Sequence, residues 1–434
     1  STLSFSAVCA AMQVLSMTSV MYVLQRQVRD PAIKLAASIA FVMTTFETCL
    51  WLIGIDERYF QYWPIRFFWP ALAVLAFYHY SQIPTLKRAA IISTIGAIGA
   101  LWNPDSGIMI EIAFIGFLVT KWFSLRIISP SNNCYRRSTI VKTLGLHVTI
   151  GVIVAIVFFI YLAVKTSLPI HWSWLYEYQS VFYRMGFTML PMTKYPYTWV
   201  MVLSVYLFGM IAAFSSLARL SNGKSVDNLM FLSMLGLGLF VYYQGRSHVL
   251  NLITISWPSL VVASILADRV IRAVKVRMAH KVNLILPSVA LAILIFCCIP
   301  FILNIPTFYA AAASSFYNRN IIQSAIVHDE IQFIRAHSKF GEQCAILSLR
   351  QGLYYAEARL VSPLSGPGYS ETVLNTDLDN MIKQIKTKKL SCVFFGLGVT
   401  SALDLNGKAA DALNDYSLLA TSPMGTMKLF SFKK

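Results

Sequence analysis

The stretch that decides the fold is residues 86–125, LKRAAIISTIGAIGALWNPDSGIMIEIAFIGFLVTKWFSL. Two apolar runs, 86–102 and 107–125, are joined by Asn103, Pro104, Asp105 and Ser106, which with Gly107 make the chemistry of a tight turn. Lys87 and Arg88 open the first run and Lys121 lies near the end of the second, so the cations sit away from the turn. Each run approaches the ~20 residues that cross a hydrocarbon core at 1.5 Å per residue. This is a membrane-helix hairpin with an acid at its tip.

The same texture extends outward on both sides. Further apolar runs occupy 5–24, 33–55, 65–83, 144–164, 198–217, 229–243, 250–267 and 282–303, which makes about ten transmembrane helices. Run 229–243 is short, and with its successor could form a re-entrant hairpin. Of the 434 residues, 57% are hydrophobic and 13% are charged, with mean hydropathy +0.61. A soluble domain carries roughly 25% charged residues, so an ordinary cytosolic enzyme and a disordered regulator are excluded.

The net charge of +17 is topological. Residues 1–303 hold 23 Lys and Arg against 9 Asp and Glu; residues 304–434 hold 13 against 10. Seventeen of those 23 cations fall in alternate connections, around Arg26, Lys87, Arg137, Arg219 and Arg272. The other connections hold only Arg58, Arg66, Lys165, Arg184, Lys194 and Arg246. Cytoplasmic loops collect Lys and Arg, so this split predicts an integral membrane protein with both ends on the outer face, periplasmic or lumenal. It also removes the need for a nucleic-acid partner.

From residue 304 the pattern changes. Segment 321–336 has helical spacing, 344–349 is a short apolar run, 362–370 is a loop rich in Pro, Gly and Ser, and 372–388 is an amphipathic helix. Segment 390–397 reads as a buried strand and 427–432 as a last edge strand. The expected organisation is a polytopic helical domain, 1–303, followed by an extramembrane α/β domain, 304–434, with a mostly parallel sheet. Cys297 and Cys298 read as apolar packing in a membrane helix. Cys344 and Cys392 each open a strand of the outer domain, where a disulfide is possible if the strands are neighbours.

Ionisable groups near the outer boundary are the candidates for chemistry, because burying them without a use is costly. Asp56 and Glu57 could act as a general base or hold a divalent metal ion; a solvated loop backed by interfacial aromatics is the alternative. Asp105 could line a cavity or cap the following helix, with Glu111 deeper on the same helix. Arg246 offers a fork suited to phosphate, and His248 can move protons or orient a ligand; both follow Gly245. The loop with Trp172, Trp174, Tyr176, Glu177 and Arg184 interleaves rings and charges, suiting sugar rings or lipid headgroups, or an interfacial belt. Glu47 is a further intramembrane acid. No Walker A, HExxH or GxSxG sequence and no Cys/His metal cluster is present.

Many membrane helices, acidic and aromatic outer loops, the NPDSG turn, the GRSH element and a C-terminal α/β domain resemble the GT-C superfamily of glycosyltransferases. The branch closest in layout includes the protein mannosyltransferases and the aminoarabinose transferase of lipid A. The resemblance implies inverting transfer of a sugar from a polyprenyl-phosphate donor to a glycan, lipid or protein acceptor. Arg246 and His248 would bind the donor phosphate, Asp56 or Glu57 would act on the acceptor, and Asp105 would support the cavity. In that family a catalytic Asp lies in the first external loop, after a first helix that runs outward. An outer N-terminus departs from this pattern, so the parity suggests a chain lacking three N-terminal helices. The competing expectations are a non-catalytic subunit of a membrane complex, an O-antigen ligase or polymerase, and a transporter of lipid-linked saccharides.

Overall fold

The computed structural model describes residues 2–50, 62–127, 137–166, 198–218, 224–245, 249–277, 324–369, 374–396 and 407–433, with isolated residues between these spans. The chain divides into two compact units. One comprises Thr2–Ile170 and Thr188–Ala313; the other comprises Ser1, His171–Phe187 and Ser314–Lys434.

The first unit is helical: α1 (Thr2–Gln27), α2 (Pro31–Leu50), α3 (Tyr62–Gln82), α4 (Leu86–Trp102), α5 (Pro104–Ile127), α6 (Arg137–Lys165), α7 (Thr198–Ala218), α8 (Lys224–Gly245), α9 (Val249–Ile255) and α10 (Trp257–Arg277). Among the described residues five helices, α1, α5, α6, α7 and α8, hold a stretch long and apolar enough to cross a membrane. The sequence leads one to expect about ten; run 282–303 and Cys297 and Cys298 lie outside the described residues, and α4 has 17 residues, about 25 Å of helix.

Two expectations change. Run 229–243 is not half of a short hairpin, because α8 starts at Lys224 and continues for 22 residues. Run 250–267 is broken at Ser256 into α9 and α10. Pro258 has no N–H for a helix ladder, so it is tolerated in the first turn of α10 and not in the middle of one continuous helix. The Ile255 carbonyl at the break accepts a hydrogen bond from the Tyr206 hydroxyl at 2.9 Å. Apolar surroundings require freed backbone groups to find such partners.

The core of this unit is aromatic where α3, α5 and α8 meet. Phe77 stacks on Phe231 at 4.1 Å between ring centroids and meets Phe117 edge-on at 4.8 Å. At one end, polar contacts tie the connections together. The buried Asp268 carboxylate accepts the backbone N–H groups of Arg29 at 2.9 Å and Asp30 at 2.8 Å and holds Arg272 at 2.8 Å. Asp30 in turn caps α2 through Ala32 and Ile33. Arg269 donates to Ser225 at 3.0 Å, Asn228 donates to Ser81 at 2.8 Å, and Lys121 lies 2.5 Å from Asp227. These contacts bring the connections after α1, α3, α5 and α7 and the end of α10 to one end of the bundle. The alternation of basic residues in the sequence requires that grouping.

α4 and α5 approach closely. A Cβ on Gly107 would lie 2.0 Å from the Gly99 carbonyl carbon and 2.2 Å from Ala100 N, so only glycine fits there.

The second unit contains α11 (Ala325–Ala336), β1 (Ala345–Leu347), α12 (Gln351–Ala358), α13 (Asn375–Lys388), β2 (Val393–Gly396), α14 (Lys408–Asp411), β3 (Tyr416–Thr421) and β4 (Met427–Phe432). The sheet order is β1-β2-β4-β3. β1 and β2 are parallel, whereas β4 runs antiparallel to both β2 and β3. The expected mostly parallel sheet is therefore mixed, and β4 is an interior strand. The cause is β3: its YSLLAT sequence folds back on β4 as a hairpin and occupies the edge assigned to 427–432. Ser324 caps α11, its side chain accepting from Val327 N. Tyr354 donates to the buried Glu330 carboxylate, and burial, reinforced by Glu330, pushes the Tyr354 phenol up.

Cys344 and Cys392 form a disulfide between the starts of the neighbouring strands β1 and β2, closing a sequence separation of 48. Changing both to alanine is expected to cost about 2–4 kcal/mol, mainly by freeing the unfolded chain. Hydrogen exchange on the full chain should show lost protection in β1 and β2, and unchanged protection there would contradict the assignment.

Candidate functional site

At the end of the helical unit opposite the basic connections, the start of α3, the α4–α5 turn and the end of α8 converge. Arg66, one turn into α3, lies 3.7 Å from the Asp105 carboxylate. Its guanidinium sits 4.8 Å from the centroid of the Tyr242 ring on α8, a cation–π arrangement. Arg66, Phe67, Asn103, Asp105, Ser106 and Tyr242 line a small pocket.

The turn sequence explains how the site is held. Asn103 ends α4, and its side chain and carbonyl both accept from Ser106 N, while its carbonyl also accepts from Gly107 N at 2.8 Å. Asn103 thus provides the side-chain cap at this turn, and Asp105, in the first turn of α5, is directed to Arg66. A carboxylate at a helix N-terminus is also favoured by the helix dipole. The Ser106 hydroxyl donates to the Arg66 carbonyl at 2.5 Å and Trp102 Nε1 donates to the Ile65 carbonyl at 2.8 Å. Both bonds lock the turn onto α3. Arg66 and Asp105 are each a little under a third exposed, accessible to a ligand yet fixed by their neighbours.

Asp105 is therefore built into the site. Asp56 and Glu57 lie outside the described residues, in the segment that leads into α3. Arg246 and His248 also lie outside them, next to the last residue of α8. Trp172, Trp174, Tyr176 and Arg184 are likewise outside. Glu177 is described: it is half-buried in a helical turn, where its N–H donates to the Ser173 carbonyl at 2.9 Å and its carbonyl accepts from Ser180. It belongs to the second unit. The side chain of Glu47 is outside the described residues. Asn251 is buried just inside α9.

Sequence reasoning missed the role of Arg66, which it counted only as a charge on the cation-poor side. Its signal was being one of six such cations and lying four residues inside an apolar helix. Among the described residues no group of three or more His, Cys, Asp or Glu could hold a metal ion. Asp56 and Glu57, the residues expected to hold a divalent metal ion, lie outside the described residues.

The fold and the site define an integral membrane protein with a small pocket beside the Arg66–Asp105 pair at one end of its helical unit and a disulfide-bonded α/β unit. No family model matches the chain, and comparison with curated proteins finds no match.

Proposed function

We propose that this chain is a membrane glycosyltransferase of the GT-C type, transferring a sugar from a polyprenyl-phosphate donor to an acceptor at the pocket end of the bundle. One observation carries the reading: three helix ends meet around Arg66, Asp105 and Tyr242, and the other candidate groups flank those ends in the sequence. Asp56 and Glu57 precede α3, Asp105 is in the turn before α5, and Arg246 and His248 follow α8. The basic connections lie at the other end, in keeping with a pocket on the outer face of a plasma membrane.

In this mechanism the acceptor hydroxyl attacks the anomeric carbon, the bond from that carbon to the phosphate oxygen breaks, and polyprenyl phosphate leaves with the electron pair. Asp56 or Glu57 takes the hydroxyl proton. Arg246, helped by His248, binds the donor phosphate, and Arg66 adds positive charge where the leaving phosphate gains negative charge. Asp105 and the Tyr242 ring keep the Arg66 guanidinium in place. In the alternative role of that pair, Asp56 or Glu57 would hold a divalent ion near the phosphate.

The test uses the full chain in proteoliposomes with polyprenyl phosphate carrying a tritiated hexose or pentose, and envelope glycans and lipids as acceptors. Arg246→Ala and Arg66→Ala are each expected to lower transfer about 10²- to 10³-fold at normal expression. Transfer retained in Arg246→Ala overturns the phosphate role, and absence of donor binding by the wild type overturns the whole reading. A second reading, a transporter of lipid-linked saccharide, draws on the discontinuous α9–α10 helix, a feature of transporter binding sites. Donor movement across the bilayer without sugar transfer would favour it.

A further inference from the structure

Away from the pocket, three helices of the first unit place polar side chains in contact. His147 on α6 bonds through Nε2 to a carboxylate oxygen of Glu111 on α5, and its Nδ1 lies 2.9 Å from the Ser93 hydroxyl on α4. His147 and Ser93 are buried, and the Phe114 ring meets the imidazole edge-on at 5.3 Å. The second carboxylate oxygen of Glu111 is buried with no hydrogen-bond partner. It faces Gly96, where a Cβ would lie 2.2 Å away. Polar groups placed this way cost free energy unless they have a use.

The hydrogen bonds count out to two states. The Ser93 hydroxyl is 2.8 Å from the Ala89 carbonyl, and its single proton cannot serve both Ala89 and His147. When Ser93 donates to Ala89, Nδ1 must carry a proton and donate to Ser93. Nε2 and Glu111 then share a second proton, as imidazolium with carboxylate or as imidazole with carboxylic acid, and the pair is neutral. When that proton leaves, Nε2–H donates to the carboxylate and Nδ1 becomes an acceptor. The Ser93 hydroxyl then turns from Ala89 to Nδ1, so that both imidazole nitrogens again have partners.

We infer that Glu111 and His147 form a proton-binding site within the helical unit, loading and releasing one proton as the Ser93 hydroxyl switches acceptors. Charges on the packed helices are engaged elsewhere. From α3, Arg66 is held by Asp105, and the Tyr80 ring meets Phe114 edge-on. On α5, Lys121 is paired with Asp227 of α8, and Lys142 on α6 points to the surface. Lys87 and Arg88 lie at the start of α4, in the basic connection. Asp105 is six residues from Glu111, about 9 Å along the helix, and the Glu111 side chain is 22% exposed. The site stands on its own geometry, independently of sugar transfer.

The test is infrared difference spectroscopy of the full chain in lipid nanodiscs, with ¹³C-labelled Glu and ring-¹⁵N-labelled His, titrated between pH 4 and 9. The wild type is expected to show a carboxyl band and an imidazole band changing together for one proton. Glu111→Gln, which keeps size and shape, is expected to remove the coupled step. Ser93→Ala is expected to keep the carboxyl band but alter the imidazole band, because Nδ1 has lost the hydroxyl. Monodisperse elution of each variant confirms its fold. A wild type with no coupled change, or a change that persists in Glu111→Gln, overturns the proposal.

Discussion

Replacing Asp227 by alanine is expected to destabilise the helical unit by about 3–5 kcal/mol, the cost of breaking a buried ion pair by removing one partner. Lys121 Nζ lies 2.5 Å from the Asp227 carboxylate, and the two side chains are only 5% and 6% exposed. The lysine stem also runs past the Phe117 ring, whose centroid is 5.8 Å from the ammonium, so the cation cannot swing to water without leaving the core. The pair costs desolvation as well as supplying attraction. The double variant Lys121→Met with Asp227→Leu, which fills the same space without charge, is therefore expected to return close to the wild-type stability or above it. Steric-trap unfolding of the full chain in bicelles measures both. A single variant within about 1 kcal/mol of the wild type would show that Lys121 is not confined by the core.

Gly107→Ala is expected to be nearly as damaging. Carbon atoms in contact sit about 3.5–4.0 Å apart, yet the new methyl would lie 2.0 Å from the Gly99 carbonyl carbon. The obstacle is backbone of α4, which cannot rotate aside as a side chain can, so the two helices must separate by well over an ångström. Overpacking costs about 1–3 kcal/mol where side chains can yield, and this site belongs at or above the top of that range. The separation also pulls the α4–α5 turn from α3, breaking the Ser106 bond to the Arg66 carbonyl and the Asp105 approach to Arg66. Loss of stability should therefore be accompanied by loss of function at the pocket. A Gly107→Ala chain with wild-type melting would refute the close approach.

The two predictions lie at opposite ends of the bundle, and the sequence disclosed those ends unequally. The basic end was legible because charge placement follows a one-dimensional rule: cations occur in every second connection. The hairpin 86–125 was legible as well, since Asn103, Pro104 and Gly107 are turn residues between two apolar runs. The Arg66–Asp105 contact was not, because 39 residues separate the two and nothing in either local sequence marks the other. The same holds for His147 and its partners, Ser93 and Glu111. A histidine inside an apolar run carries no sign of which neighbouring helix will satisfy it. In the α/β unit, β3 escaped notice because YSLLAT exposes consecutive leucines around a bulge, where the register shifts between Leu418 and Ala420. That bulge erases the alternation by which a strand is recognised.

By itself the sequence determined a helical membrane unit, its alternation of basic connections, a separate C-terminal α/β unit and the identity of the polar residues that need partners. These depend on composition and on periods of a few residues, which solvent and lipid select directly. Only the tertiary structure decided which polar residues meet: Arg66 with Asp105 and Tyr242, Lys121 with Asp227, Glu111 with His147 and Ser93, Cys344 with Cys392. Pairing depends on which helices and strands become neighbours. In the helical unit that is settled by close approach of surfaces such as Gly107 on Gly99, a property of shape in three dimensions that no local stretch of chain contains.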